Sequence, residues 1–483
     1  MREFLFPIDR AEGGALQAQI RAALERAVAS GAFAPGDPAP STRRLAEALG
    51  VSRNTVSLAF QSLVDQGVLE ARERSGYFIA RRGPAAAAPV APMGPGIDWA
   101  GRLAGPSAAF EAVPRPEGWR AAPFPFIYGQ FDPELFPIAE WRDATRRAMG
   151  RRWLDEWTED RYAEDDPMLI EEIRRRILPR RGVAADAGEI LVTLGAQNAL
   201  FLAAALLLPA GSVAAMEEPG YPDARALFRA RAARTILQPV DEDGMQVDER
   251  LRGARLIYVT PSHQHPSLVS MSLERRRALL ALAEEEDAVI LEDDYEPEAS
   301  AAGPQRPALR ALDGRGRVLY AGSLSKSMMP GLRLGFLVGA RPFIEEARAL
   351  RRLMLRHPPG MNQRVAALFM AARHHDMLLG RMRRALAARR SAAVAALAAA
   401  APGWRVSGAE GGGGLWIEGP EGLDSRRLAA AALARGVVIE PGDVFFGARA
   451  APRRFFRMGF SVIPEERIGE GVARLVAAAE SVI

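Results

Sequence analysis

One lysine, Lys326, stands among 62 arginines in a chain of 483 residues whose net charge is +4. A guanidinium stays protonated and cannot attack a carbonyl, whereas an amine that sheds its proton can form a Schiff base. A chain that draws its positive charge from arginine almost everywhere has little solubility reason to keep one lysine. A residual surface lysine is the plain alternative, and the count alone does not separate the two. Two adjacent acids, Asp293 and Asp294, follow the apolar run AVILE at 288–292. Taken alone they read as a strand-end helix cap. The absence of cysteine removes disulfides, cysteine nucleophiles and cysteine-ligated metals, and it fits the cytoplasm. The five histidines lack metal-ligand spacing, so no metal site is expected.

These residues need a scaffold, and the composition supplies one. With 48% apolar and 25% charged residues the chain is ordinary globular protein, long enough for two or three domains. The longest apolar run, around Ala199–Pro209, is too short for a membrane span of about 20 residues, and MREFLFPIDRAEGG has no signal-peptide core. Composition shifts at residue 81, where RRGPAAAAPVAPMGPG reads as an extended linker. We expect a small domain at 1–80, a linker at 81–122 and a large domain at 123–483 with a smaller α+β lobe from about 402. In the large domain, β-rich runs at 189–193, 212–216, 255–259, 288–292 and 317–322 alternate with helical stretches, which predicts α/β with a mainly parallel sheet.

In the small domain Leu16, Ile20, Leu24 and Val28 recur every four residues, which predicts a helix. Ser41 or Thr42 can cap a second helix ending at Gly50, and Ser52 a third with Val56, Phe60 and Leu63 buried. Leu69–Glu73 and Tyr77–Ile79 flank Arg74-Ser75-Gly76 as a hairpin. Three helices and a hairpin make a winged helix-turn-helix, whose second motif helix presents its N-terminal residues to the major groove. Here those are Ser52, Arg53, Asn54, Thr55 and, a turn on, Ser57. Arg suits guanine and Asn adenine, Ser52 and Thr55 suit phosphates, Arg43 is placed to touch the backbone, and Gly76 lets the wing approach the minor groove. A protein-binding winged helix is the alternative. The run PSTRRLAEALGVSRNTVSLAFQSLVDQGVLEARERSGYFI resembles the GntR-type DNA-binding domain, which implies a double-stranded operator. Asp37-Pro38-Ala39 departs from that family, which usually has a basic residue and a Leu there.

YAGSLSKSMMPGLRLGF, the run holding Lys326, resembles the lysine segment of fold-type I pyridoxal-phosphate (PLP) enzymes. More narrowly it is similar to that of the MocR/GabR regulators, in which a GntR-type reader is fused to an aminotransferase-like domain. The resemblance implies that Lys326 holds PLP as an internal aldimine and exchanges it for an incoming amine or amino-acid effector. Asp293 would pair with the pyridinium nitrogen and Tyr295 with the phenolic oxygen. In VTLGAQNAL the amides of Ala196 and Gln197, after Gly195, would face the phosphate from a helix N-terminus, with Ser323 and Arg333 completing the cup. Tyr221 would stack on the ring, and Arg457, in FFRMGF, would hold a substrate carboxylate bidentately. An ordinary salt bridge for Arg457 stays open.

Several positions depart from the resemblance. Leu194 stands where the family commonly has Ser, and His265 and Leu268 replace an aromatic and a glycine in TPSHQHPSL. His265 contacts cofactor or effector, or only packs. Asp223 stands where GABA-responsive relatives have an arginine, which disfavours GABA. Tyr162 is the candidate for a tyrosine reaching a partner's phosphate, although the glycine expected downstream is absent. The family further implies a head-to-tail homodimer on two DNA half-sites. An aminotransferase with an accessory DNA-binding domain is the second functional reading.

Overall fold

The computed structural model describes residues 15–73, 75–80, 97–103, 113–232, 234–296, 306–408, 411–448 and 450–482. The chain divides into two compact units, Met1–Ala104 and Gly105–Ile483. Most of the 81–122 linker lies outside the described residues, as does Arg74 of the hairpin turn.

In the first unit, α1 (Leu16–Ala29), α2 (Thr42–Leu49) and α3 (Arg53–Asp65) precede a hairpin of β1 (Leu69–Arg72) and β2 (Gly76–Ile79). Ile20, Leu24, Leu45, Val56, Phe60 and Leu63 are buried together with Leu69 and Ile79. Both motif helices start on a serine. Ser41 Oγ accepts from the Arg44 amide at 3.2 Å, and Ser52 Oγ accepts from the Thr55 amide at 3.1 Å. Gly50 closes α2 in the left-handed conformation (φ +63°), which a side chain would oppose. Ser52→Ala is expected to cost the unit about 1 kcal/mol, the usual worth of an N-cap. A thermal melt followed by helix circular dichroism checks this, and an unchanged midpoint would show that the cap contributes nothing.

The second unit is built on an eight-stranded sheet. A short strand, β3 (Phe124–Pro125), precedes it in the chain. The sheet strands are β4 (Ile190–Thr193), β5 (Val213–Glu218), β6 (Arg234–Asp241), β7 (Gly244–Met245), β8 (Leu256–Val259), β9 (Val289–Asp294), β10 (Val318–Ser323) and β11 (Gly335–Val338). Their spatial order is β4-β11-β10-β9-β8-β5-β6-β7. The run β10-β9-β8-β5-β6 is parallel, while β11 and β7 run against their neighbours. The central parallel strands β8, β9 and β10 are mostly apolar (LIYV, VILE, VLYA) because helices cover both faces. Polar residues gather at the carboxyl ends of β5, β8, β9 and β10: Glu217 and Glu218 on β5, Thr260 after β8, Asp293 and Asp294 on β9, Ser323 on β10. Open parallel sheets place their ligand sites at those ends.

After the 27-residue helix His374–Ala400 comes a four-stranded antiparallel sheet of Arg405–Ser407, Gly414–Glu418, Phe455–Gly459 and Glu440–Pro441. The lobe is therefore richer in strands than a strand-helix alternation predicts. It also takes in the start of the large domain: β3 pairs in parallel with Val437–Val438, and Phe124 and Phe126 are buried in the lobe core. Among the described residues no helix is long and apolar enough to cross a membrane.

Candidate functional site

A cavity of about 560 Å³ opens at the carboxyl ends of the parallel strands, with Lys326 in its lining. The lysine follows β10, is half-buried, and donates from Nζ to the Gly129 carbonyl at 3.1 Å. Gly129 sits at φ +74°, and a Cβ there would overlap Nζ. Burial lowers the lysine's pKa, Glu296 opposes that, Arg457 and Arg115 lower it, and Glu440 raises it. The net downward shift increases the neutral fraction, the form in which an amine attacks carbon.

Asp293, at the end of β9, is buried on the cavity wall. Its Oδ2 accepts from the Tyr258 hydroxyl at 2.9 Å, while Oδ1 has no partner. Burial raises its pKa to about 7 against the hydrogen bond from Tyr258; Asp294 raises it further and Lys326 opposes. A buried acceptor without a donor is costly, and a protonated ring nitrogen in the cavity would satisfy it. Asp294 is committed elsewhere: its Oδ2 accepts from Arg181 Nε at 2.7 Å and from the Tyr320 hydroxyl at 2.8 Å. Adjacent strand positions point to opposite faces, which gives the two acids their different surroundings. Tyr295 reaches the same cavity and donates its hydroxyl to the His263 carbonyl at 2.8 Å.

At one end of the cavity Gly195 (φ +75°) leads into the helix Ala196–Leu207, so the amides of Ala196 and Gln197 open that helix beside the lining. Arg333, also at positive φ (+52°), donates from Nη2 to the Leu194 carbonyl at 3.2 Å. A Cβ on Gly195 would lie 3.0 Å from that same Nη2. Ser323 Oγ accepts from the Ser325 amide at 3.2 Å. Amides at a helix start, a hydroxyl and a guanidinium around one space form an anion cup. Tyr221 lines the wall, its hydroxyl 2.9 Å from Asp223 Oδ2 and 3.1 Å from Gln197 Oε1.

At the other end Arg457 is held on three sides. Its Nε donates to Glu440 Oε2 at 2.7 Å, and its guanidinium carbon lies 4.4 Å from the Tyr128 ring centre and 4.6 Å from that of Phe445. Its Nη1 is 2.6 Å from His265 Nε2. A guanidinium only donates, so Nε2 accepts and the proton of neutral His265 resides on Nδ1, which is buried without a partner. Burial, with Arg457 and Lys326 adding, holds the His265 pKa well below its ordinary value. Arg457 thus makes a buried salt bridge and also lines the cavity.

Tyr162 lies elsewhere: it is 54% exposed, and its hydroxyl accepts from Arg352 Nη1 at 2.7 Å. In the first unit Arg43, Ser52, Arg53, Asn54 and Gly76 are exposed, with Thr55 and Ser57 half-buried. The Ser52 and Thr55 hydroxyls lie 2.8 Å apart, so the pair serves the helix cap as well as being available to phosphates. Gly76 takes φ +92° at the start of the second wing strand.

Sequence reasoning missed Tyr128, Tyr258, Arg115 and Ser325 in the lining, and Glu296 and Glu440 beside it. Tyr258 sits in RLIYV, whose apolar pattern reads as core; Tyr128 and Arg115 fall in or near the Pro/Gly-rich stretch, where periodicity gives no signal.

Residues 130–475 match the model of the family "Aminotransferase class I and II", and residues 16–79 that of "Bacterial regulatory proteins, gntR family". The chain is 45% identical to the HTH-type transcriptional regulator TauR of Rhodobacter capsulatus, with 96% of each chain covered. It is 30% identical to the probable rhizopine catabolism regulatory protein MocR of Rhizobium meliloti, over 98% of this chain and 95% of that one. Among solved structures it resembles LysN, the α-aminoadipate aminotransferase of Thermus thermophilus, complexed with N-(5'-phosphopyridoxyl)-L-leucine. There the TM-score is 0.72 and the identity 28%, over 80% of this chain and 99% of that one.

Proposed function

The chain belongs to the aminotransferase class I and II family and, with its gntR-family segment, to the MocR-type regulators; from that premise we propose that it is a PLP-dependent transcriptional regulator that senses an amine or amino acid at Lys326. The observation that carries the cofactor reading is the pairing of a lone, half-buried lysine with the unpartnered Oδ1 of Asp293 across one cavity. Bound pyridoxal phosphate supplies an aldehyde carbon and a ring that takes up charge.

Lys326 would hold the aldehyde end, Asp293 the ring nitrogen, Tyr295 the phenolic oxygen and Tyr221 the ring face. Ala196, Gln197, Ser323 and Arg333 would hold the phosphate. Arg457, kept rigid by Glu440 and its two aromatic neighbours, would orient an effector carboxylate, and His265 would contact cofactor or effector from the same wall. In the first unit Arg53 and Asn54 would read base edges while Arg43, Ser52, Thr55, Ser57 and Gly76 follow the backbone and groove. A reader ahead of the cofactor domain favours regulation over an aminotransferase with an accessory DNA-binding segment. A head-to-tail homodimer on two half-sites is part of the proposal, because paired readers on one DNA need a paired protein.

A footprint on the DNA upstream of the protein's own gene, with and without PLP, tests it. Two spaced protected half-sites that change with PLP are expected. No protection in either state would sink the regulator reading.

A further inference from the structure

Two small cavities of about 20 and 10 Å³ lie beside Lys326, both lined by Lys326 and Glu296, and the first shares Ser325, Lys326 and Pro330 with the main cavity. Such volumes are about those of a single water molecule, which is also the size of an ammonium head. Their walls carry two hydroxyls that nothing else uses. Ser325 lines the first and Ser327 the second, the two residues are 6% and 3% exposed, and both hydroxyls are buried without a partner. The Gly129 carbonyl already accepts from Nζ, and the Tyr128 ring centre lies 5.6 Å from it. Glu296 itself accepts from the Tyr128 hydroxyl and, at 3.4 Å, from the Gly413 amide.

We infer that this pocket is the seat the Lys326 ammonium takes once an amine has displaced it from the cofactor, with Glu296 as its charge partner. An ammonium offers three donors and no acceptor. Gly129 O, the Glu296 carboxylate and a seryl hydroxyl would match them. The neighbouring acids are less free. Glu440 is bound to Arg457 at 2.7 Å and accepts from the Tyr128 amide, and Asp293 accepts from Tyr258. Lys326 faces the acids Glu296, Glu440 and Asp293, the cations Arg457 and Arg115, and the rings of Tyr128 and neutral His265. Glu296 faces Tyr128, Tyr295, His263 and Lys326, with Arg390 and Arg383 from the helix behind. Lys326 and Arg390 are thus cations that both feel Glu296, and of the two only the amine, held below its ordinary value by burial, readily gives up its proton. The inference rests on the reading of Lys326 as the cofactor lysine. It adds where that side chain goes once an amine has displaced it.

The single lysine makes the test clean. The full-length protein is loaded with PLP, treated with hydroxylamine to free Lys326, desalted, and pulse-acetylated with acetic anhydride across pH. Peptide mass spectrometry then reads residue 326 alone. The midpoint of reactivity is expected to fall by about one pH unit or more in Glu296→Gln, a tenfold loss of proton affinity, and to be largely retained in Glu296→Asp. The return of visible cofactor absorption on reloading certifies the fold of each variant. Should Glu296→Gln fail that check, Ser325→Ala/Ser327→Ala is read instead, with a smaller fall in the same direction. A midpoint unmoved in a folded variant overturns the seat. The assay involves neither DNA nor effector, so its failure leaves the regulator reading standing, and a failed footprint leaves the seat standing.

Discussion

Replacing Lys326 with alanine is expected to abolish the covalent hold on the cofactor and every effector response that depends on it. No other side chain can substitute, because the sequence has no second lysine and an arginine cannot form a Schiff base. Non-covalent binding would persist through the anion cup at Gly195, Ala196, Gln197 and Arg333 and through Asp293 Oδ1, since none of these contacts involves the lysine. Cofactor affinity should fall on the order of 100-fold, ~2.8 kcal/mol. Borohydride treatment followed by peptide mass spectrometry should find a cofactor adduct at residue 326 in the wild type and none in the variant. Lys326→Arg separates charge from covalency. It keeps a cation near the Tyr128 ring and Glu296 but should behave as the alanine variant in the adduct assay. An adduct at any other position would remove Lys326 from the cofactor role.

The residues that gather around Lys326 were legible because they announce themselves by type in short runs. The lone lysine, the acids closing the run at 288–292 and the glycine between β4 and its helix are each local signals. The strands at 190–193, 256–259 and 318–323 were legible because parallel strands covered on both faces read as short continuous apolar runs. What escaped depends on pairing across long stretches of chain. Arg457 reads as a carboxylate clamp with a salt bridge as the lesser alternative, and only the fold brings Glu440 and His265 beside it. Tyr128 reaches Glu296 across 168 positions, and Arg181 reaches Asp294 across 113. β11, GFLV, was passed over because it abuts the PGLRLG run. Its antiparallel place between β4 and β10 is set by the turn through Arg333 at positive φ, which apolar periodicity does not carry.

Asp293 should make the cofactor-free protein lose stability as pH rises toward neutrality, the reverse of the usual carboxylate. Its folded pKa is raised to about 7, chiefly by burial, whereas in the unfolded chain an aspartate titrates at about 4. Between those values the folded state holds a proton that the unfolded state has released, so unfolding is favoured progressively with pH. The contribution is fully present below pH about 4 and is lost by the time pH passes about 7. Three pH units correspond to at most ~4 kcal/mol for one such group. Glu217, also raised to about 7 by burial, acts in the same direction, while its hydrogen bonds from Thr260 and Gln264 hold the loop that carries His265. Asp293→Asn cannot ionise and should flatten the decline between pH 5 and 7.5 without removing the part due to Glu217. In the proposed complex Asp293 would hold the protonated ring nitrogen, which would favour the carboxylate and draw its pKa back down. The gap in melting temperature between loaded and cofactor-free protein should therefore widen from pH 6 to pH 8, and the asparagine variant should lose that widening. Calorimetric melts of the four preparations across this range decide it. Parallel curves for the wild type and Asp293→Asn would show that Asp293 is not the group whose ionisation the cofactor controls.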